Sequence, residues 1–177
     1  MDVAVKAPNI RWMIRRDMAE VGCIENLSYD HPWTEQEFIH LLRQRNCIGL
    51  VVEETVDSQD AAAGTILGYC LYELHKNHLR IVNLAVHPKH RRRSTGRMLV
   101  HKLIDKLSTN RRKKIVTEVS EYNLGAQKFF AACGFRAVHV ARNFYPGYDL
   151  DAYVFEYRLN QQEHDYQPVN RISKLCE

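Results

Sequence analysis

Between residues 87 and 97 the chain reads HPKHRRRSTGR, with five Lys or Arg side chains and no acid. Lys89, Arg91, Arg92, Arg93 and Arg97 crowd the approach to STGRMLVHKLIDKL, a segment whose apolar residues recur at helical spacing. Like charges repel one another, and cations at a helix start also face the positive end of its dipole, so the cluster is unfavourable unless something negative arrives. The first N–H groups of a helix have no partners within it and point at whatever lies ahead. Ser94, Thr95 and Gly96 are small enough to let a diphosphate approach those groups, and forked guanidinium donors suit phosphate oxygens. On charge alone, a solvated basic face or a nucleic-acid patch stays open beside the phosphate site.

The elements that must hold this turn follow from periodicity. LRIVNLAVHP alternates as a strand and is stopped by Pro88, and the helix after the turn is expected to bury Met98, Leu99, Leu103, Ile104 and Leu107. Upstream, IRWMIRR predicts a first strand, and Asp17 caps a helix carrying Met18, Val21, Ile24 and Leu27. YDHPW breaks that helix, and Thr34 with Glu37 three residues on forms a capping box for a second one bearing Phe38, Leu41 and Leu42. CIGLVVEE and TILGYCLYELHK read as strands joined by the polar loop TVDSQDAAAG. KKIVTEVSE is a further strand, NLGAQKFFAACGF a helix ended by Gly134, and AVHVARNFY with DAYVFEYRL a terminal antiparallel pair. The order βααβββαβαββ predicts an α/β sheet with helices on both faces. Residues 1–159 are expected to form a single domain, and the polar residues 160–177 a loosely attached tail.

Several of these segments carry a joint resemblance. NLAVHPKHRRRSTGRMLVHKL resembles the acyl-CoA-binding motif of the GCN5-related N-acetyltransferases (GNAT), a Gln or Arg, two variable residues, Gly, one variable residue, then Gly or Ala. Here that motif is Arg91-Arg92-Arg93-Ser94-Thr95-Gly96, so Ser94 replaces the first glycine, which matters if the position needs positive φ. VTEVSEYNLGAQKFFAACGF resembles the second family signature, an acid on a strand, then Asn, then a helix closing on Gly-Phe. HPW at residues 31–33 and RNFYPGYDLDAYVF near the end are similar to RimI-like N-terminal acetyltransferases, and the likeness spans about residues 10 to 159.

The resemblance implies a GNAT fold, a mixed central sheet flanked by helices on both faces, whose splayed central strands bind acyl-CoA. It implies acetyl-CoA as acyl-donor cosubstrate, cradled by Arg91, Arg92, Arg93, Ser94, Thr95, Gly96 and Arg97. The backbone of Leu84, Ala85 and Val86 would line the pantetheine arm, the Val86 N–H would face the oxyanion, and Asn123 would touch the cofactor. The base would be Glu118, which alternation places on one face of its strand with Val116 and Ser120. Burial on a central strand would lift a carboxyl toward the range useful for a base acting through a water; the plainer reading is a strand-end acid in a salt bridge. RimI-like enzymes have a Tyr, the donor of a proton to the leaving thiolate, where this chain has Phe130, so either that acid is lost or Tyr145 or Tyr122 takes over. Phe130 would still lie along the cofactor. For the acceptor, Trp33, Asn143, Tyr145 and Tyr148 would hold a peptide N-terminus, while Phe144 is better explained by packing.

An N-acetyltransferase for a protein N-terminal α-amine is therefore the reading the resemblance favours, with ribosomal protein S18 a target if the likeness is close. A small-amine or lysine acetyltransferase stays open, as does a catalytically weak acetyl-CoA-binding or nucleic-acid-binding module. The bulk numbers fit a cytoplasmic enzyme. The 177 residues are 45% hydrophobic and carry a net charge of +4, no run approaches the length of a membrane helix, and the first residues lack the apolar block of a secretory signal. Five widely spaced cysteines without a CxxC pair predict reduced, mostly buried thiols, and nine histidines without ligand spacing predict no metal.

Overall fold

The structure, a computed structural model, describes residues 7–54, 64–145 and 147–159. The expected tail at 160–177 and most of the TVDSQDAAAG loop lie outside the described residues.

Seven strands form one sheet in the order β1-β2-β3-β4-β5-β7-β6. They are β1 (Asn9–Trp12), β2 (Cys47–Glu54), β3 (Thr65–Leu74), β4 (His78–Val86), β5 (Lys114–Ser120), β6 (Arg136–Tyr145) and β7 (Leu150–Arg158). The helices are α1 (Met18–Asn26), α2 (Glu35–Leu42), α3 (Thr95–Ile104) and α4 (Leu124–Ala132). Every neighbouring pair is antiparallel except β4 and β5, which α3 joins as the crossover a parallel pair requires. The mixed α/β sheet with helices on both faces is thus as expected.

Two apolar clusters sandwich the sheet. Leu99, Val100 and Leu103 of α3 and Phe130 of α4 pack with Leu79, Ile81, Ile115 and Val119 on one face. Met18, Val21 and Ile24 of α1 and Phe38 of α2 pack with Val51, Tyr69, Leu71 and Ala85 on the other. β4 contributes to both because its register against β3 slips by one residue, Leu71 facing Asn83 while Tyr72 faces Ile81. Val82 is the extra residue. A single insertion flips the alternation, so Leu79 and Ile81 face α3 whereas Asn83 and Ala85 face α1.

Local expectations mostly hold, with four corrections. The Thr34–Glu37 capping box forms, and Gly134 ends α4 at φ +87°. β1 is shorter than IRWMIRR, because Arg15–Asp17 turns into a 3₁₀ helix. Asp17 occupies the N-cap of α1 yet donates no cap; its carboxylate instead accepts from the Ile14 N–H and from the Arg11 guanidinium. Leu27 is exposed, since α1 ends before it. Cys47 and Cys70 are buried as expected, but Cys23 is exposed.

Candidate active site

The parallel β4–β5 ladder pairs His78 with Lys114 and continues through Ile81 and Thr117, where it stops. β4 runs on to Val86 and β5 to Ser120 without pairing each other, so the sheet opens at its centre. Residues 82–86 keep one edge bonded to β3, and the other edge turns its N–H and C=O groups into the opening. Leu84, Ala85 and Val86 therefore line the gap, with Ala85 buried and the other two half-buried.

At the end of β4 the chain makes a 3₁₀ turn over Pro88–His90 and then enters α3 through a strained corner. Arg92 has φ +62° and Ser94 φ +65°, both left-handed. The position that the motif assigns to glycine does need positive φ, so Ser94 carries a conformational cost that glycine would not. Among the described residues the N–H groups of Thr95, Gly96 and Arg97 find no acceptor in the chain; the first α3 bond runs from Met98 N–H to the Ser94 carbonyl, 2.9 Å. Gly96 is needed for closeness: a Cβ there would lie 3.2 Å from the Phe129 ring and 3.5 Å from Val86 Cγ2. This presses the start of α3, with its free donors, onto the end of the opening.

The arginines divide into two groups. Arg91 Nε donates to the Val86 carbonyl at 2.9 Å and its Nη2 reaches Ser28 Oγ at 3.0 Å, so it ties the strand end to the loop after α1. Arg97 touches the Cys133 thiol. Arg92 and Arg93 are exposed and have no partner among the described residues. A pair of cations beside free helical N–H groups is what a phosphate group fits.

Glu118 stands one residue past the last β4–β5 pair, on the face that carries α1 and α2. Its side chain is 15% exposed, and it stands in a salt bridge, as the plainer of the two sequence readings had it: Arg80 Nε lies 3.1 Å from Oε2 and 3.3 Å from Oε1. Tyr145, at the end of β6, comes within electrostatic reach. Burial pushes its phenol above the ordinary value of 10, the Glu118 charge adds to that, and a backbone hydrogen bond from Ser120 opposes both. The hydroxyl is therefore protonated at neutral pH.

The other sequence-derived residues are placed less alike. Phe130 is buried in the core against Phe129, Phe135 and Phe155. Asn123 caps α4, its Oδ1 accepting from the Ala126 N–H at 3.0 Å. Trp33 packs edge-on against Phe38 rather than standing free, and Phe144 lies edge-on to Tyr145. Asn143, exposed at φ +48°, bonds Asp151 through its N–H, and the Tyr148 ring packs tilted by 30° against His31 with centroids 4.2 Å apart. That contact joins the loop after α1 to the loop after β6. Tyr122 is 75% exposed and apart from this group.

Three features escaped the sequence reading. Arg80 is one; only the β4–β5 register brings it to Glu118. Tyr29 is another, donating to the Leu84 carbonyl at 2.7 Å, its phenol raised by burial and then by Glu25 and Tyr145. The third is Glu25, 1% exposed, whose carboxylate accepts from the Tyr69 hydroxyl, the Asn83 amide and the Trp33 N–H. A signal did exist for Glu25, which falls on the apolar stripe of α1 with Val21 and Ile24.

An opened parallel pair, a free helix start with unpaired cations, and an acid at the vertex thus lie together at the centre of the sheet. Residues 15–135 match the acetyltransferase (GNAT) family, and the chain belongs to it: it is an N-acetyltransferase of a family that uses acetyl-CoA. Among its relatives, the [ribosomal protein bS18]-alanine N-acetyltransferase of Salmonella typhimurium (strain LT2) is 29% identical over 130 residues, covering 73% of this chain and 82% of that protein. The crystal structure of the ribosomal-protein-S18-alanine N-acetyltransferase from Escherichia coli aligns with a TM-score of 0.70 at 22% identity, over 90% of this chain and 99% of that one. Arabidopsis thaliana NAA60 in complex with acetyl-CoA aligns at 0.74 and 15%, over 86% and 100%. These two structures share its fold.

Proposed function

We propose that this chain transfers the acetyl group of acetyl-CoA to the α-amine of a protein N-terminus, by direct attack while both substrates are bound. The observation that carries the reading is the β4–β5 ladder ending at Ile81 and Thr117, with Glu118 next in line and Tyr145 beside it. Phosphate groups of the donor fit the Thr95, Gly96 and Arg97 N–H groups with Arg92 and Arg93 at the rim, while Arg91 and Ser94 shape the turn. The pantetheine arm runs along Leu84, Ala85 and Val86, where the Leu84 and Val86 carbonyls already accept from Tyr29 and Arg91, and the Val86 N–H stabilises the oxyanion. Asn123 and Phe130 back the same channel. Glu118 takes a proton from the ammonium through a water, the freed nitrogen attacks the thioester carbonyl, the C–N bond forms, the C–S bond breaks, and the nitrogen gives its second proton to water. Tyr145 then protonates the thiolate, the role Phe130 cannot fill, and Trp33, Asn143, Tyr145 and Tyr148 wall the acceptor side.

The names of the relatives favour a ribosomal protein N-terminus as acceptor. Mass spectrometry of reactions with acetyl-CoA should place acetyl groups on peptides with a free α-amine and leave α-blocked, lysine-containing peptides and polyamines unmodified. Modification at lysine or polyamine nitrogen alone would assign a different acceptor class. Phe130→Tyr should raise kcat, and an unchanged kcat would mean that residue 130 only packs. A chain that bound nucleic acid and no acetyl-CoA would be a binding module instead.

A further inference from the structure

Arg80 does more than neutralise a nearby acid. β3 and β4 pair Glu73 with Arg80, and β4 and β5 pair Arg80 with Val116. Glu118 lies two residues beyond Val116 on the same face, so the Arg80 side chain has to lean along the strand to the vertex of the opening to meet it. There its Nε–H is shared between both carboxylate oxygens, at 3.1 and 3.3 Å. Its Nη1 lies 3.6 Å from Glu73 Oε2, and that same oxygen is 2.9 Å from His75 Nε2. His75 in turn stacks on His78, with centroids 4.5 Å apart and planes within 8°. One guanidinium is thus divided between two carboxylates, the second of which has a further partner in the β3–β4 turn.

We infer that Arg80 is a positioning residue for the acetyl transfer, holding the Glu118 carboxylate at the vertex of the β4–β5 opening, with Glu73 competing for the same guanidinium. The inference rests on the reading of Glu118 as base. A base on a flexible side chain works only when it is aimed, and a charge-assisted bond to both oxygens fixes that aim. The bond also leaves each oxygen a lone pair for a water on the acceptor side. The groups facing Glu118 are Arg80 from β4 and Tyr145 from β6, while its β7 neighbour Val154 is apolar. Further along, Lys114 of β5 and Arg158 of β7 are occupied by Glu156, so no second cation competes for Glu118 among the described residues.

The test compares Arg80→Gln, Arg80→Lys, Glu73→Gln and Glu118→Gln with the wild type, in steady-state acetylation of a peptide with a free α-amine. Circular dichroism checks that each variant is folded. Arg80→Gln is expected to lower kcat about tenfold with both KM values within about twofold. Arg80→Lys should recover most of the loss. Glu73→Gln should raise kcat at unchanged KM, because Arg80 is then left to Glu118 alone, and this arm also decides the matter if Arg80→Gln does not fold. Wild-type kcat in the Arg80 and Glu73 variants, with activity lost in Glu118→Gln, would overturn the inference and leave the base reading standing. Full activity in Glu118→Gln would overturn the base reading and the inference with it.

Discussion

Ser94 shows what one side chain can cost at a functional turn. It sits at φ +65° immediately before α3, where a Cβ crowds the backbone and glycine would not. Ser94→Gly should therefore raise the unfolding free energy by about 1 kcal/mol, read as a higher urea midpoint at unchanged slope. A lower midpoint would mean that the hydroxyl supports the turn. Glu25 is the opposite case, a buried acid with no cation beside it among the described residues, kept there by three donors. Glu25→Ala strands the Tyr69 hydroxyl, the Asn83 amide and the Trp33 N–H together, so a loss of about 2–4 kcal/mol is expected. Glu25→Gln keeps an acceptor oxygen and should lose less.

At the scale of elements, the opening between β4 and β5 and the tie between β1 and α1 have measurable signatures. Along residues 82–86 alternate N–H groups are bonded to β3 and the others are not, so hydrogen exchange should alternate between slow and fast in the free protein. Saturating acetyl-CoA should slow the fast set; unchanged exchange there would place the donor elsewhere. The tie is Asp17, 3% exposed. Burial pushes its carboxyl up, but hydrogen bonds from Arg11 and the Ile14 N–H, with the charges of Arg11 and Arg16, outweigh this and leave it below the ordinary 3.8. A carboxyl lowered by folding contributes stability above its unfolded value and loses it as pH falls through the folded one. Thermal melts should thus show the wild type weakening below about pH 4 and Asp17→Asn, already weaker at pH 7, declining less steeply over that range.

For the whole molecule, a net charge of +4 says little, whereas the placement of Arg92 and Arg93 beside free helical N–H groups says a good deal. Replacing both with Ala should weaken acetyl-CoA binding at least tenfold, about 1.4 kcal/mol, by isothermal titration. Arg91→Ala is a less direct probe, because Arg91 also joins β4 to the loop after α1. Binding to the native state alone should stabilise the fold by about 2.7 kcal/mol at a hundred times Kd, and the melting temperature should follow the same order of variants. Equal shifts in wild type and double variant would remove the arginines from the site.

The order of elements, the two helix-bearing faces, the Thr34 cap and the arginine-rich helix start were legible in the sequence, because each depends on residues near one another along the chain. So was the question of φ at Ser94, whereas the approach of Gly96 to Phe129 was not. Tertiary structure alone decided the rest. Val82 is an ordinary strand residue until the β3 register makes it an insertion that turns Asn83 toward Glu25. Glu118 has no identifiable partner in the sequence until a parallel pairing brings Arg80, 38 residues earlier, to its carboxylate. Tyr145 acquires its raised phenol only where the end of β6, separated from β5 by β7, brings its ring near Glu118 and Ser120. Periodicity carries what a strand buries, but pairing register and the point where a ladder stops are set by contacts between distant segments, and those bring the charges of this site together.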